Sequence, residues 1–345
     1  MYRVLIITLL ILPFTLTSGQ EYRAPRTEHG MPDLQGVWNF NDTTPFARPE
    51  RYGDREFLTD EEFRNRLGAQ EQSEQRRDQR ESTVADRILE QPTDDTGAYN
   101  YFWSYYDETY PNRRTSMIVS PSDGQVPPLV DGTSVQRSPP GSNPCADGLN
   151  RDDRPVRIAW AGISCDRPED FALMTRCILF PQSGPPHIKA NSYNNNLQIV
   201  QTRDHVLIYA EMGNDPRIIP LDGRPHADPK LISWTGNSRG HWEGATLVVV
   251  TKNFRPELAS LYQRTTSYGS AEGSTVTERF TRVGDQALDY EFTIDDPQTF
   301  AEPLTARTNL SGMDQPIYEF ACHEGNYAIV NMMRAARIAD VEDQR

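Results

Sequence analysis

The second half of the chain is a series of short apolar or alternating runs separated by turn residues, a pattern typical of antiparallel β-strands. Turn residues such as Asn214-Asp215-Pro216, Asp222-Gly223 and Gly284-Asp285 stand between the runs. The pattern predicts strands over Leu197–Thr202, Val206–Met212, Arg217–Leu221, Leu231–Trp234, Thr246–Phe254, Thr275–Val283, Ala287–Ile294, Leu304–Leu310 and Ile317–Cys322. Because an open meander leaves its edge strands unpaired, we expect a mainly β fold in which these strands form a lipocalin-like barrel or a sandwich.

The last of these runs carries polar residues whose direction the pattern leaves open. Tyr318, Phe320 and Cys322 share one face of the predicted strand, and Glu319 and His323 share the other. If the aromatic face packs beneath the N-terminal segments, the acid and the imidazole face the barrel interior. In the opposite arrangement both side chains are in solvent.

The first half of the chain has a different character. Residues 20–176 predict a helix and loop-rich region that packs on the barrel, whereas residues 177–345 predict the β-barrel-like domain with a short C-terminal helix over Asn326–Asp340. In the N-terminal region, Thr59 and Glu62 have the spacing of a capping box and predict the start of an exposed helix. Short strands are predicted over Gly36–Phe40 and Arg114–Val119.

The N-terminus predicts export. Residues 1–19 combine Arg3 with the apolar run Val4–Phe14 and a small-residue end, as in a secretory signal peptide. The apolar run is shorter than the roughly 20 residues that a membrane span needs. We therefore expect a periplasmic or extracellular protein without a membrane span, cleaved after Gly19.

The cysteines fit this location. All four, Cys145, Cys165, Cys177 and Cys322, lie in the exported part, where disulfides are the usual state. Four thiols permit three pairings, of which we favour Cys145–Cys165 with Cys177–Cys322. A metal site is the alternative, but no CxxC pair and no compact histidine spacing supports it, so no metal is expected.

The net charge and the absence of certain motifs exclude several classes of function. The chain has 35 Lys and Arg against 49 Asp and Glu, a net charge of −14, which disfavours a partner recognised through phosphates. There is no GxGxxG fingerprint, P-loop, GxSxG elbow or HExxH pair. We therefore expect no nucleic-acid partner and no cofactor.

Several phrases of the sequence resemble those of a family of exported bacterial proteins without an established activity. The phrases are PDLQGVW from Pro32, YNNNLQIVQ from Tyr193, IPLDGRPH from Ile219, SRGHWEG from Ser238 and YEFACHEGN from Tyr318. The resemblance covers most of the mature chain. The resemblance implies a bacterial exported protein and implies nothing about mechanism.

Four residues are candidates for proton transfer. Glu211 lies inside an otherwise apolar predicted strand, where an isolated carboxyl has a raised pKa unless Arg217, Arg224 or Arg239 pairs with it. His226 and His323 lie at turns beside charged residues, where imidazole serves as acid or base near neutral pH. Glu319 is the fourth candidate. Each of these residues also has a purely structural interpretation.

A second group consists of candidate ligand-binding residues. Arg224 and Arg239 suit a substrate carboxylate, and Asn195 offers amide donors and acceptors. Tyr209, Trp234 and Trp242 supply aromatic surface for a pocket.

Two functions from different classes remain, beside a scaffold without a cavity that applies if side chains fill the barrel interior. The first is a small-molecule pocket in the barrel that carries out cofactor-independent acid/base chemistry, as a lyase, isomerase or hydrolase. The second is a non-catalytic binding or protein-interaction module. They differ in one observable: convergence of His and Glu side chains in one cavity favours an enzyme, whereas an apolar and aromatic cavity favours a carrier.

Overall fold

The computed structural model describes residues 22–72, 75, 112–137, 165–188, 194–213, 215–263 and 266–343. The predicted signal peptide and Cys145 lie outside these residues. The described residues form thirteen strands: β1 Gly36–Asn39, β2 Ile118–Ser120, β3 Val135–Arg137, β4 Asn196–Gln201, β5 His205–Ala210, β6 Arg217–Pro220, β7 Asn237–Glu243, β8 Thr246–Lys252, β9 Leu261–Gln263, β10 Thr266–Tyr268, β11 Thr275–Gly284, β12 Ala287–Asp295 and β13 Leu304–Met313. Helix α1 covers 60–72, and α2 covers Ala328–Asp343. In this part of the chain no helix has the length and apolar character of a membrane span.

Most of the strands form one antiparallel sheet that curls into a barrel. The sheet has ten strands in the order β6-β5-β4-β1-β13-β12-β11-β8-β7, with β2 paired to β13. The mainly β, barrel-like prediction is confirmed, and so is the short C-terminal helix. Strand β1, which belongs to the N-terminal region, lies in the barrel between β4 and β13 and pairs with both. The remaining strands, β3, β10 and β9, form a separate small sheet.

The barrel closes without a full hydrogen-bond ladder. The end strands β6 and β7, both described along their whole length, lie beside each other but are not paired. At this seam Gly240 of β7 faces Ile219 and Leu221, so close that a Cβ added to the glycine would lie 2.8 Å from each side chain. The seam is therefore held by side-chain packing instead of a backbone ladder.

The side chains at alternate positions of the strands point inward and fill the barrel interior. On β12 the residues Leu288, Tyr290, Phe292 and Ile294 are buried, while the residues between them are only partly covered. β11 alternates in the same way, and its inward face includes Glu278. One inward position of β11 is thus a carboxylate in an otherwise apolar wall.

Outside the barrel, the predicted capping box is present. The Thr59 backbone N–H donates to Glu62 Oε2 at 2.9 Å, and the Glu62 N–H donates to Thr59 Oγ1 at 3.2 Å. These bonds satisfy two donors at the start of α1.

The predicted disulfide between Cys177 and Cys322 is also present. It joins the segment before β4 to the segment after β13. Cys165 is disulfide-bonded too, but its predicted partner Cys145 is outside the described residues.

Two strand predictions are wrong. The run Leu231–Trp234 forms only an isolated bridge, from Ser233 to Phe254, and Leu231 is 67% exposed. The run Ile317–Cys322 is irregular and pairs with none of the described strands, and Tyr318 is 54% exposed, so the alternation of the run does not correspond to a buried face.

Conversely, sequence analysis missed β7. The polar residues Arg239 and His241 on its outer face hide the strand, which pairs with β8 along its whole length. The weak strand pattern of β7 is stabilised by its pairing with β8, which is apolar on both faces.

Candidate functional site

A pocket lies at one mouth of the barrel. It contains about 650 Å³ of empty space, including the part open to solvent. The segment 179–188 covers the end at which β7 and β11 begin and β8 ends. The described lining residues are Leu179, Phe180, Pro181, Gly184, Pro185, Pro186, Ile188, Trp234, Phe254, Leu258, Ala259, Ser260, Leu261, Tyr262, Ala271, Ser274 and Val276.

The lining is apolar and aromatic, with three hydroxyl groups. None of the described lining residues is a histidine, a carboxylate or a cation. Ser274 Oγ donates to the carbonyl of Ala271 at 2.9 Å, whereas the buried Ser260 Oγ has no hydrogen-bond partner among the described residues. Such a lining, apolar with a few polar groups, is typical of small-molecule sites.

The segment 179–188 is anchored to the barrel at two points. Ser183 Oγ donates to the carbonyl of Met212 at 2.7 Å, just beyond β5. The backbone N–H of His187 donates to Tyr290 Oη at 2.9 Å on β12. The segment thereby presents three prolines to the pocket while it inserts the His187 side chain into the barrel. The prolines are Pro181, Pro185 and Pro186.

Gly184 makes this insertion possible. Its φ is +65°, and a Cβ built on it would lie 2.6 Å from the His187 ring. A side chain at this position would collide with the imidazole and would also be strained in the left-handed region. Glycine therefore lets the backbone fold back over the ring.

Beneath the segment lies a buried polar cluster, consisting of His187, Arg217, Glu278 and Tyr290. The Arg217 guanidinium donates twice to Glu278, at 2.6 and 3.1 Å, and Tyr290 Oη donates to Glu278 Oε1 at 2.9 Å. The side chains of Arg217 and Glu278 are 3% and 0% exposed. This two-pronged, hydrogen-bonded geometry is what allows an ion pair to be buried.

Burial is the main cause of the pKa shifts of two residues of the cluster, His187 and Tyr290. Loss of solvation, followed by the nearby positive charge of Arg217, lowers the pKa of His187 to about 4. Burial raises the pKa of Tyr290 well above its ordinary value, and the neighbouring Glu278 carboxylate acts in the same direction. At neutral pH His187 is therefore a neutral imidazole and Tyr290 a neutral phenol.

The cluster and the pocket are separate. None of the four cluster residues belongs to the described lining of the pocket. His187 Nδ1 lies 3.3 Å from the carbonyl oxygen of Gln182, and its Nε2 has no hydrogen-bond partner among the described residues. Histidine and glutamate do converge in this protein, but they do so in the packed core, and the pocket itself is apolar.

The structure gives Glu211 a partner that sequence analysis did not consider. Glu211 is 1% exposed and accepts hydrogen bonds from Asn196 Nδ2 at 2.7 Å and from the Tyr318 backbone N–H at 3.1 Å. Of the three arginines proposed as its partner, Arg217 pairs with Glu278 instead. Glu211 thus fastens the segment after β13 to the end of β5.

The remaining proton-transfer candidates do not meet in a cavity. Glu319 and His323 are exposed, which decides the open question in favour of solvent. His226 Nδ1 lies 2.9 Å from the carbonyl oxygen of Asn237, and partial burial lowers the pKa of this histidine. His226 lies beside the start of β7, away from the pocket lining.

Of the predicted ligand-binding residues, Trp234 lines the pocket, with the Arg255 guanidinium 4.5 Å from its ring centroid. The predicted anion-binding arginines, Arg224 and Arg239, do not line the pocket. Arg224 pairs with Asp222 on the surface, and Arg239 Nε donates to the carbonyl of Pro225 at 2.9 Å.

Three further candidates also lie away from the described pocket lining. Asn195 is buried and donates to Asn41 at 3.0 Å. Tyr209 is half-buried on the outer face of β5, and Trp242 packs on the core. The predicted ligand-binding set is therefore dispersed over the barrel.

Sequence analysis missed most of the residues that form the pocket and the cluster, although Glu278 was detectable. It shares a strand face with Val276 and Phe280, so alternation directs its side chain inward with theirs. The intervening Arg279 points outward and donates to Glu243 at 2.7 Å, in keeping with this alternation.

No comparable signal marks His187 or Ser260. Their positions depend on how distant segments cover the barrel mouth, and neither lies in a run with a regular period. The local sequence therefore does not separate them from ordinary loop residues.

Comparison with known proteins leaves the site to be interpreted from its own geometry. No protein-family model, no curated protein and no solved structure matches this chain.

Proposed function

We propose that this chain is an exported small-molecule-binding protein, and that the pocket under the segment 179–188 is its ligand site. The observation that carries the proposal is the apolar and aromatic lining of that pocket, which holds no histidine or carboxylate among its described residues. Acid/base catalysis is carried out most often by a histidine or a carboxylate within hydrogen-bond reach of the substrate, and the described lining offers only the phenol of Tyr262. A carrier needs only surface that is complementary to its ligand.

Two further observations support this proposal. The polar side chains that could carry out proton transfer, His187 and Glu278, are engaged in the closed core with Tyr290 and Arg217. The disulfide between Cys177 and Cys322 ties the segment that precedes the pocket wall to the C-terminal part of the chain, and such bonds are common in exported proteins.

The test is a thermal-shift screen of the oxidised protein against neutral aromatic and aliphatic compounds. A ligand that binds only the folded state raises the melting temperature. We expect a rise with one class of apolar compounds, and we expect Ala259→Trp, which fills the pocket from a half-buried position, to remove that rise. The matched control is Ala335→Trp on the exposed surface of α2. A rise that survives Ala259→Trp would place the ligand elsewhere and overturn the proposal.

A further inference from the structure

We infer that the pocket takes a neutral, flat aromatic molecule carrying one hydroxyl or carbonyl group, and that this group hydrogen-bonds to Ser260. The inference rests on the proposed function and adds the chemical class of the ligand. It depends on three features of the described lining: its aromatic and proline rings, its lack of charge and one buried hydroxyl.

The walls favour a flat ligand. Aromatic rings from four different segments line the pocket, and three prolines of the segment 179–188 add further rings. The aromatic residues are Phe180, Trp234, Phe254 and Tyr262. Aromatic surfaces pack best against other rings, in offset-stacked or edge-to-face arrangements. An aromatic ligand therefore gains more from this lining than a branched aliphatic one of the same size.

The lack of charge favours a neutral ligand. The described lining contains no cation or anion, and the guanidinium above Trp234, that of Arg255, is paired with Glu257 at 3.1 and 3.2 Å. An ionised ligand group would lose its hydration in this pocket without gaining a counter-charge. A carboxylate or ammonium is thus disfavoured in the buried part of the ligand.

Ser260 supplies the polar contact once rotation about its Cα–Cβ bond turns the hydroxyl, which is covered in this structure, toward the ligand. Its backbone N–H donates to the carbonyl of Tyr268 at 3.0 Å, but its hydroxyl, in a residue only 6% exposed, has no hydrogen-bond partner among the described residues. A buried hydroxyl without a partner is unfavourable, so a ligand group that bonds to it gains affinity. Since a serine hydroxyl both donates and accepts, a phenol or a carbonyl satisfies it equally.

The test compares three probes by equilibrium dialysis: naphthalene, 2-naphthol and 2-naphthoate. We expect the wild-type protein to bind 2-naphthol about 3–10-fold more tightly than naphthalene, the value of one hydrogen bond. We expect 2-naphthoate to bind more weakly than both. Ser260→Ala should lower the affinity for 2-naphthol to that for naphthalene, and it should leave the affinity for naphthalene unchanged.

The matched control is Ser311→Ala. Ser311 Oγ is also buried without a hydrogen-bond partner among the described residues, but it lies on β13 and not in the described pocket lining. An equal loss of 2-naphthol affinity in both serine variants would overturn the inference. If Ser260→Ala fails to fold, Ser260→Cys provides the same comparison with a weak donor.

The outcomes separate the two proposals. Equal binding of naphthalene and 2-naphthol that Ala259→Trp abolishes would overturn the role of Ser260 and keep the pocket as a ligand site. Tight binding of 2-naphthoate would overturn the neutral class. Binding of none of the probes would overturn the aromatic class and leave the pocket open to an aliphatic ligand. Binding that Ala259→Trp leaves intact would overturn the proposed function together with this inference.

Discussion

The guanidinium of Arg217 and the carboxylate of Glu278 meet at 2.6 Å inside the barrel, although β7 and β8 stand between their strands in the closed sheet. The pair therefore spans the interior from β6 to β11 beneath the seam at which β6 and β7 are not paired. It links the two sides of the seam through side chains, where the ladder does not.

Removing one partner of this pair should be strongly destabilising. Glu278→Gln leaves the Arg217 charge buried and uncompensated, and the expected loss in the free energy of unfolding is about 3–5 kcal/mol. The double variant Arg217→Met/Glu278→Gln removes the stranded charge and should be more stable than Glu278→Gln alone. Urea denaturation of the wild type, the two single variants and the double variant measures this coupling.

The exposed pair of Asp222 and Arg224 is the matched control for the buried one. Exposed ion pairs contribute little because water and salt screen them. Asp222→Asn should leave the urea midpoint unchanged within error. Strictly additive losses in the Arg217 and Glu278 variants would show that the buried pair does not act as a unit.

The depressed pKa of His187 predicts a loss of stability in mild acid. The pKa falls from its ordinary 6.5 to about 4 in the folded protein, chiefly through burial, so the unfolded chain binds more protons between these values. The contribution is fully present above pH 6.5 and is lost as the pH falls toward 4, by about 3 kcal/mol in total.

A variant isolates this contribution from that of other titrating groups. His187→Gln has no imidazole to protonate, so its stability should fall less than that of the wild type between about pH 7.5 and about pH 4.5. Urea denaturation at both pH values gives the difference. Parallel losses in the two proteins would show that His187 is not the responsible group.

The substitution of glycine by alanine should have opposite effects on stability at Gly240, which lies at the seam, and at Gly68, which lies in α1. Gly240→Ala places a Cβ against Ile219 and Leu221 at 2.8 Å, and the overpacking should cost about 1–3 kcal/mol. Gly68→Ala lies in α1 with open space around the new Cβ and should stabilise the protein by about 0.5–1 kcal/mol. Thermal unfolding of both variants checks the signs, and a neutral Gly240→Ala would mean that the seam is loosely packed.

The disulfide between Cys177 and Cys322 predicts a local effect on the C-terminal segment. The bond links residues 145 positions apart, and its loss should cost about 2–5 kcal/mol. The double variant Cys177→Ser/Cys322→Ser should also release the segment that carries the exposed α2 for proteolysis. Limited trypsin digestion compares the cleavage rates; equal rates would mean that the contacts of Glu211 and Asn326 hold the segment without the disulfide.

The sequence by itself determined the local features of this protein. Alternation with period 2 located most of the barrel strands, because each strand has one face in the core and one in solvent. Thr59 and Glu62 marked the start of α1, because capping depends on residues three positions apart. The disulfide between Cys177 and Cys322 was one of a small number of possible pairings.

Only the tertiary structure decided which of these residues meet. Glu211 accepts hydrogen bonds from Asn196 and from the Tyr318 backbone and does not pair with an arginine. Arg217 pairs with Glu278, which is 61 positions away in the chain. The wall of the pocket formed where the segment 179–188 crosses the barrel mouth. Such contacts depend on how the sheet curls and closes, and a pattern that repeats every two residues contains no information about closure.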